Sequence, residues 1–79
     1  MLKIKILGPG CRNCQNLEAL ARRVAQENDI EAEFEHVTER AEILSYHILA
    51  TPGLVVNGKV VSAGRIPSDE EVASWLKAA

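Results

Sequence analysis

The spacing of apolar residues changes once near the start of the chain, and the place where it changes limits the fold more than any other feature. From Leu2 to Leu7 the pattern alternates, with Ile4 and Ile6 on one side of an extended segment and Lys3 and Lys5 on the other. From about Arg12 to Glu27 the pattern is helical. Cys14, Leu17, Leu20, Ala21 and Val24 form one stripe, with Glu18, Arg22, Arg23 and Gln26 largely off it. Gly8-Pro9-Gly10 separates the two, breaking the strand and letting the backbone turn sharply.

Beyond Asn28-Asp29, where the helix ends, Ile30 to Val37 alternates again, with Ile30, Ala32 and Phe34 against Glu31, Glu33 and Glu35. This predicts a half-buried strand whose acidic row suits a sheet edge. Thr38 is an expected N-cap for a second helix reaching about Tyr46, with Ala41, Ile43 and Leu44 available to the core. Two apolar runs, Leu54-Val55-Val56 and Lys59-Val60-Val61, then flank Asn57-Gly58, the strongest short-range hairpin signal. Ser68 and Glu71 form a capping box for a last helix, with Val72, Trp75, Leu76 and Ala79 on its inner face. The order is β-α-β-α-β-β-α. The first two strands are joined through a helix, so they are expected to be parallel with a right-handed crossover, and the last two to form an antiparallel hairpin. A four-stranded mixed sheet with helices on both faces accommodates this order.

The chemistry is concentrated in Cys11 and Cys14, the only two cysteines. They stand in a C-x-x-C where strand gives way to helix. The nucleophile in disulfide exchange is the thiolate, and a helix N-terminus favours negative charge. A helix beginning at or near Cys11 points unpaired N–H groups at its sulfur. Cys14 continues the buried stripe and is expected to face inward; Cys11, at the stripe's open end, is expected to be the more exposed. Cys14 lies within reach to open or close a short-loop disulfide.

With 79 residues the chain reads as one domain over 1–79, near the lower limit for a fold held by its core alone. Net charge is −2 and no basic patch stands out, which argues against a nucleic-acid partner. Apolar runs are too short to span a bilayer, and Met-Leu-Lys-Ile-Lys-Ile does not resemble a signal peptide. A soluble, monomeric, cytoplasmic protein is expected. In a reducing cytosol a lone C-x-x-C is more often catalytic, redox-sensing or metal-binding than a structural staple. His36 and His47 have no local ligand spacing to the cysteines and read as structural or surface residues.

Cys11-Arg12-Asn13-Cys14 in the first βα turn, Thr51-Pro52 before the Val56-Asn57-Gly58-Lys59 hairpin, and Gly64 before the last helix together resemble the thioredoxin fold. More narrowly, they resemble the small archaeal and bacterial thioredoxin/glutaredoxin-like redox-active disulfide proteins, over almost the whole chain. The resemblance implies a thioredoxin-like α/β fold and a thiol–disulfide oxidoreductase acting on protein disulfides. It makes Cys11 the attacking cysteine and Cys14 the resolving one. It also implies a cis peptide bond before Pro52, a substrate segment paired with the backbone of Thr51, and Gly64 near the same surface. It implies no bound cofactor beyond the Cys11–Cys14 disulfide, and a flavin-dependent thioredoxin reductase as electron donor. Arg12, beside the nucleophile, and Lys5, where thioredoxin has a buried carboxylate, are candidate modulators of the two sulfurs.

The competing reading is a soft-metal (copper or zinc) chaperone or binding domain, which also places a C-x-x-C after a first strand. Such domains carry Met two residues before the first cysteine, where this chain has Pro9, and their β-α-β-β-α-β order ends in a strand. A redox sensor without enzymatic turnover is a third reading.

Overall fold

The computed structural model describes residues 1–10 and 12–79. Its elements are β1 (Leu2–Leu7), α1 (Arg12–Glu27), β2 (Ala32–Val37), α2 (Arg40–Leu44), β3 (Gly53–Val56), β4 (Lys59–Ala63) and α3 (Asp69–Ala78). The strands form one sheet in the order β2-β1-β3-β4. β1 runs parallel to β2 and antiparallel to β3, and β3 pairs antiparallel with β4. The alternation in β1 divides the core in two. Ile4 and Ile6 face α1 and α3, where Leu17, Leu20, Ala21, Val24, Val72 and Leu76 are buried. Leu7 lies on the opposite face, with Val37, Ile43, Ile48 and Val55 under α2. Helices therefore cover both faces, α2 only one end of its own.

Local chemistry sets the boundaries. Asp29 has φ 54°, and the amides of Asp29 and Ile30 return to the carbonyls of Gln26 and Ala25. This Schellman closure of α1 uses the N–H of Ile30, so the strand begins at Ala32 rather than at Ile30. Glu33 and Glu35 stand in register with Lys3 and Lys5 of β1. The acidic row therefore answers a basic row besides lining the sheet edge.

The second helix differs most from its expectation. Thr38 is not the N-cap; Glu39 is, in extended conformation and with no side-chain cap bond. The helix is one short segment: Ser45 still bonds back to Ala41 as well as Glu42, Tyr46 and His47 bond back by i→i−3, and His47, at φ 62°, stops it. So short an element presents one residue inward, Ile43, and leaves Ala41 and Leu44 exposed. Ile48, beyond the turn, completes that core.

Asn57 and Gly58, at φ 50° and 83°, make the tight hairpin turn, and the Asn57 side chain accepts a bond from the Lys3 amide (2.9 Å). The register shifts between Leu54 and Val55, leaving Val61 as the extra residue of β4; Val60 and Val61 pack on opposite cores as neighbours in a strand do, and β4 runs on to Ala63. The capping box at Ser68 and Glu71 forms as expected, although Ala79 is exposed. Arg23 ties α3 to α1 through two bonds to Asp69 (2.8 and 3.0 Å).

Candidate active site

Three chain segments meet beyond the end of β1. The first is Gly8, buried, whose amide donates to the Val37 carbonyl (2.9 Å) and so prolongs the β1–β2 pairing by one residue. The second is the opening turn of α1. Its apolar stripe locks the helix onto the sheet, which carries Cys14 inward to full burial. Gln15 reaches back to the Gly10 carbonyl (3.3 Å) and ties the turn to the helix. The third is Thr51-Pro52, joined by a cis peptide bond, with Thr51 exposed and Pro52 buried.

The contact among them is close. A β-carbon built on Gly8 would overlap Cys14 Sγ, lie 3.3 Å from Cys14 Cβ and lie 3.8 Å from Thr51 Cβ. Gly64 joins from β4: its amide donates to the Pro52 carbonyl (2.9 Å), and its φ of 78° is one that side chains rarely adopt. Thr51, Pro52, Gly64 and Cys14 are thus gathered at one end of the sheet. Cys11, and the expectation that it is the more exposed sulfur at the start of the helix, lie outside the described residues. Arg12 is the first residue of α1 and is exposed.

Lys5 goes elsewhere. It lies on the face away from α1, where its ammonium donates to Tyr46 Oη (3.2 Å) and sits 5.9 Å from that ring's centre. The bond to Tyr46, aided by the nearby Glu35 carboxylate, raises its pKa above the ordinary lysine value. His36 faces Glu18 on α1 (Nδ1 to Oε1, 3.5 Å).

Two features were not evident from sequence. Gly8 reads as a turn residue, yet its missing side chain makes room for a sulfur. A groove of about 340 Å³ also opens beside Thr51, with Pro9, Arg40, Leu44, Ile48 and Leu49 among its lining. Leu44 and Leu49 are strongly exposed for leucines. Their apolar character was legible; the brevity of α2 that leaves them outside was not.

The fold is that of thioredoxins: the oxidised thioredoxin of Plasmodium falciparum superposes with a TM-score of 0.60 at 17% identity, over 98% of this chain and 79% of that one. The thioredoxin domain family matches residues 2–77. Thioredoxin of Methanothermobacter thermautotrophicus is 47% identical over 76 residues, which is 96% of this chain and 99% of that protein. Thioredoxin of Methanocaldococcus jannaschii is 35% identical over 77 residues, 98% of this chain and 88% of that protein. The chain belongs to the thioredoxin family and is a thiol–disulfide oxidoreductase.

Proposed function

We propose that Cys11 is the nucleophile and Cys14 the resolving thiol in exchange with protein disulfides. The Cys11 thiolate attacks one sulfur of the partner's disulfide. A Cys11–partner bond forms as the partner's own S–S bond breaks, and the first partner sulfur leaves as a thiolate that takes up a proton. Cys14, having given up its proton, attacks Cys11 Sγ. The mixed disulfide breaks, the second partner sulfur leaves, and Cys11–Cys14 is oxidised. Two electrons pass to the partner, and no bound cofactor is needed.

The observation that carries this reading is the burial of Cys14 against Gly8 and beside Thr51, in the first turn of α1. A resolving thiol is kept from solvent and from other partners until a bond to its neighbour is formed. Thr51, exposed beside the buried Pro52 and next to Gly64, offers its backbone to an extended substrate segment, whose side chains lie along the groove past Leu44 and Leu49. Arg12 favours the Cys11 thiolate by its charge, whereas Lys5 serves the Lys5–Tyr46 contact and acts on the sulfurs at most through the sheet. Electrons return from a flavin-dependent thioredoxin reductase, and the protein works as a monomer in the cytoplasm.

Trapping tests the roles. Cys14→Ser incubated with a disulfide-bearing protein should accumulate a mixed disulfide stable to gel electrophoresis without reductant, and Cys11→Ser should not. Equal trapping by both variants contradicts the assignment.

A further inference from the structure

Gly8 is glycine for a different reason from the glycines of the turns. Gly10, Gly58 and Gly64 have φ of 92°, 83° and 78°, a region that suits glycine; Gly8 is not among the residues with positive φ. Space is what it provides. Among the described residues, chain neighbours apart, nothing lies within 4 Å of a β-carbon placed on Gly10 or Gly58, whereas on Gly8 that carbon overlaps Cys14 Sγ and approaches Cys14 Cβ to 3.3 Å. The Cys14 backbone cannot retreat. It belongs to a helix whose next buried residues, Leu17, Leu20, Ala21 and Val24, are packed on the sheet. Gly8 is itself held by its bond to Val37. Any side chain at this position therefore displaces the sulfur.

We infer that Gly8 is a positioning residue for the resolving step: its bare α-carbon is the seat that fixes where Cys14 Sγ waits. The inference rests on the roles proposed above for the two sulfurs. Attack by Cys11 on a substrate makes no use of this seat. Attack by Cys14 on Cys11 Sγ does, because the incoming sulfur must line up with the bond it breaks. A misplacement of about 1 Å costs on the order of 100-fold in such a step. Gly8→Ala should therefore separate the two halves of the exchange.

The test is single-turnover reaction of the reduced protein with dithionitrobenzoate, whose coloured thiolate is released once on attack and once on resolution. In G8A the first release should stay within about twofold of the wild-type rate, and the second should slow by about 10- to 100-fold. A second phase of unchanged rate, or both phases slowed alike, overturns the inference. Cys14→Ser should give the first release only; if it gives both, the reading of the two sulfurs fails, independently of Gly8. Should G8A not fold, Gly8→Ala combined with Cys14→Ala removes the obstructing sulfur. Recovery of folding in that double variant supports the seat, and continued unfolding overturns it.

Discussion

Leu17 is the residue through which the stability of the core and the placement of the site are most directly joined, and its truncation is open to a worked prediction. It is fully buried, one helical turn beyond Cys14 on the same stripe, and packs in the cluster that holds α1 and α3 to the sheet. Leu17→Ala removes three carbon groups. At about 0.8 kcal/mol each, the lost transfer free energy is about 2.4 kcal/mol. If the surroundings do not collapse, the void is roughly 80 Å³, which adds about 2 kcal/mol at about 24 cal/mol per Å³. The total is about 4 kcal/mol, and partial collapse brings it toward about 3. A chain of 79 residues has on the order of 4–12 kcal/mol to lose. The variant should therefore stand near the edge of folding.

Equilibrium unfolding in guanidinium, followed by the half-buried Trp75 in the presence of reductant, measures this. With a slope of about 2 kcal/mol per molar, the midpoint should fall by roughly 1.5–2 M. Leu49→Ala is the control: Leu49 is 103% exposed, and its truncation should stay within about 0.5 kcal/mol of the parent. A loss below about 1 kcal/mol at Leu17, or a comparable loss at Leu49, would refute the assignment of the core on this face.

Two further predictions concern the ends of elements. The Glu71 carboxylate takes two bonds from Arg65 (3.0 and 2.7 Å) and one from the Ser68 amide (3.0 Å), which lower its pKa from its ordinary 4.5 to about 2. A depressed carboxylate stabilises the fold in full above its unfolded value and loses that contribution as pH falls through the folded one. The thermal midpoint of Glu71→Gln should lie below that of the parent near neutrality, and the two should converge from about pH 4.5 down to about pH 2; a gap that does not change with pH would count against the cap. Gly58→Ala meets no neighbour but must hold φ at 83°, so it should cost about 1 kcal/mol by the same guanidinium titration while leaving both phases of thiol release intact. An effect on the second phase would show that the hairpin, and not the space at Gly8, governs resolution.

What could be read from the sequence follows physical lines. β1, α1, the hairpin and the capped α3 each satisfy several local rules at once, so their order, and the bounds of β1 and α1, are legible from pattern alone. The acidic alternation of β2 was legible too, but its match to Lys3 and Lys5 requires knowing that the strands lie parallel and in register. Pattern alone extends the second helix too far, because Thr38, Ala41 and Leu44 fit a helical pattern locally. The left-handed turn at His47 and the burial of Ile48 decide otherwise, and both are tertiary choices. Ile30 fits a strand by alternation, yet its amide is taken by the end of α1.

The site divides in the same way. Cys14 was placed inward by its position on an amphipathic stripe, a property of one helix. Gly8 could not be assigned its role in that manner, because pattern reading weighs a residue by the side chain it brings. A glycine in a Gly-Pro-Gly turn is already explained by the turn, and nothing in the spacing marks one of the pair as different. The difference appears only when the helix is laid on the sheet and the sulfur comes to rest where a β-carbon would stand. Among the described residues Gly10 meets no obstacle in space but holds a backbone angle that side chains rarely adopt; Gly8 has the reverse constraint. Substitution at the two positions should thus fail for opposite reasons, and only at Gly8 should removing the Cys14 sulfur restore what was lost.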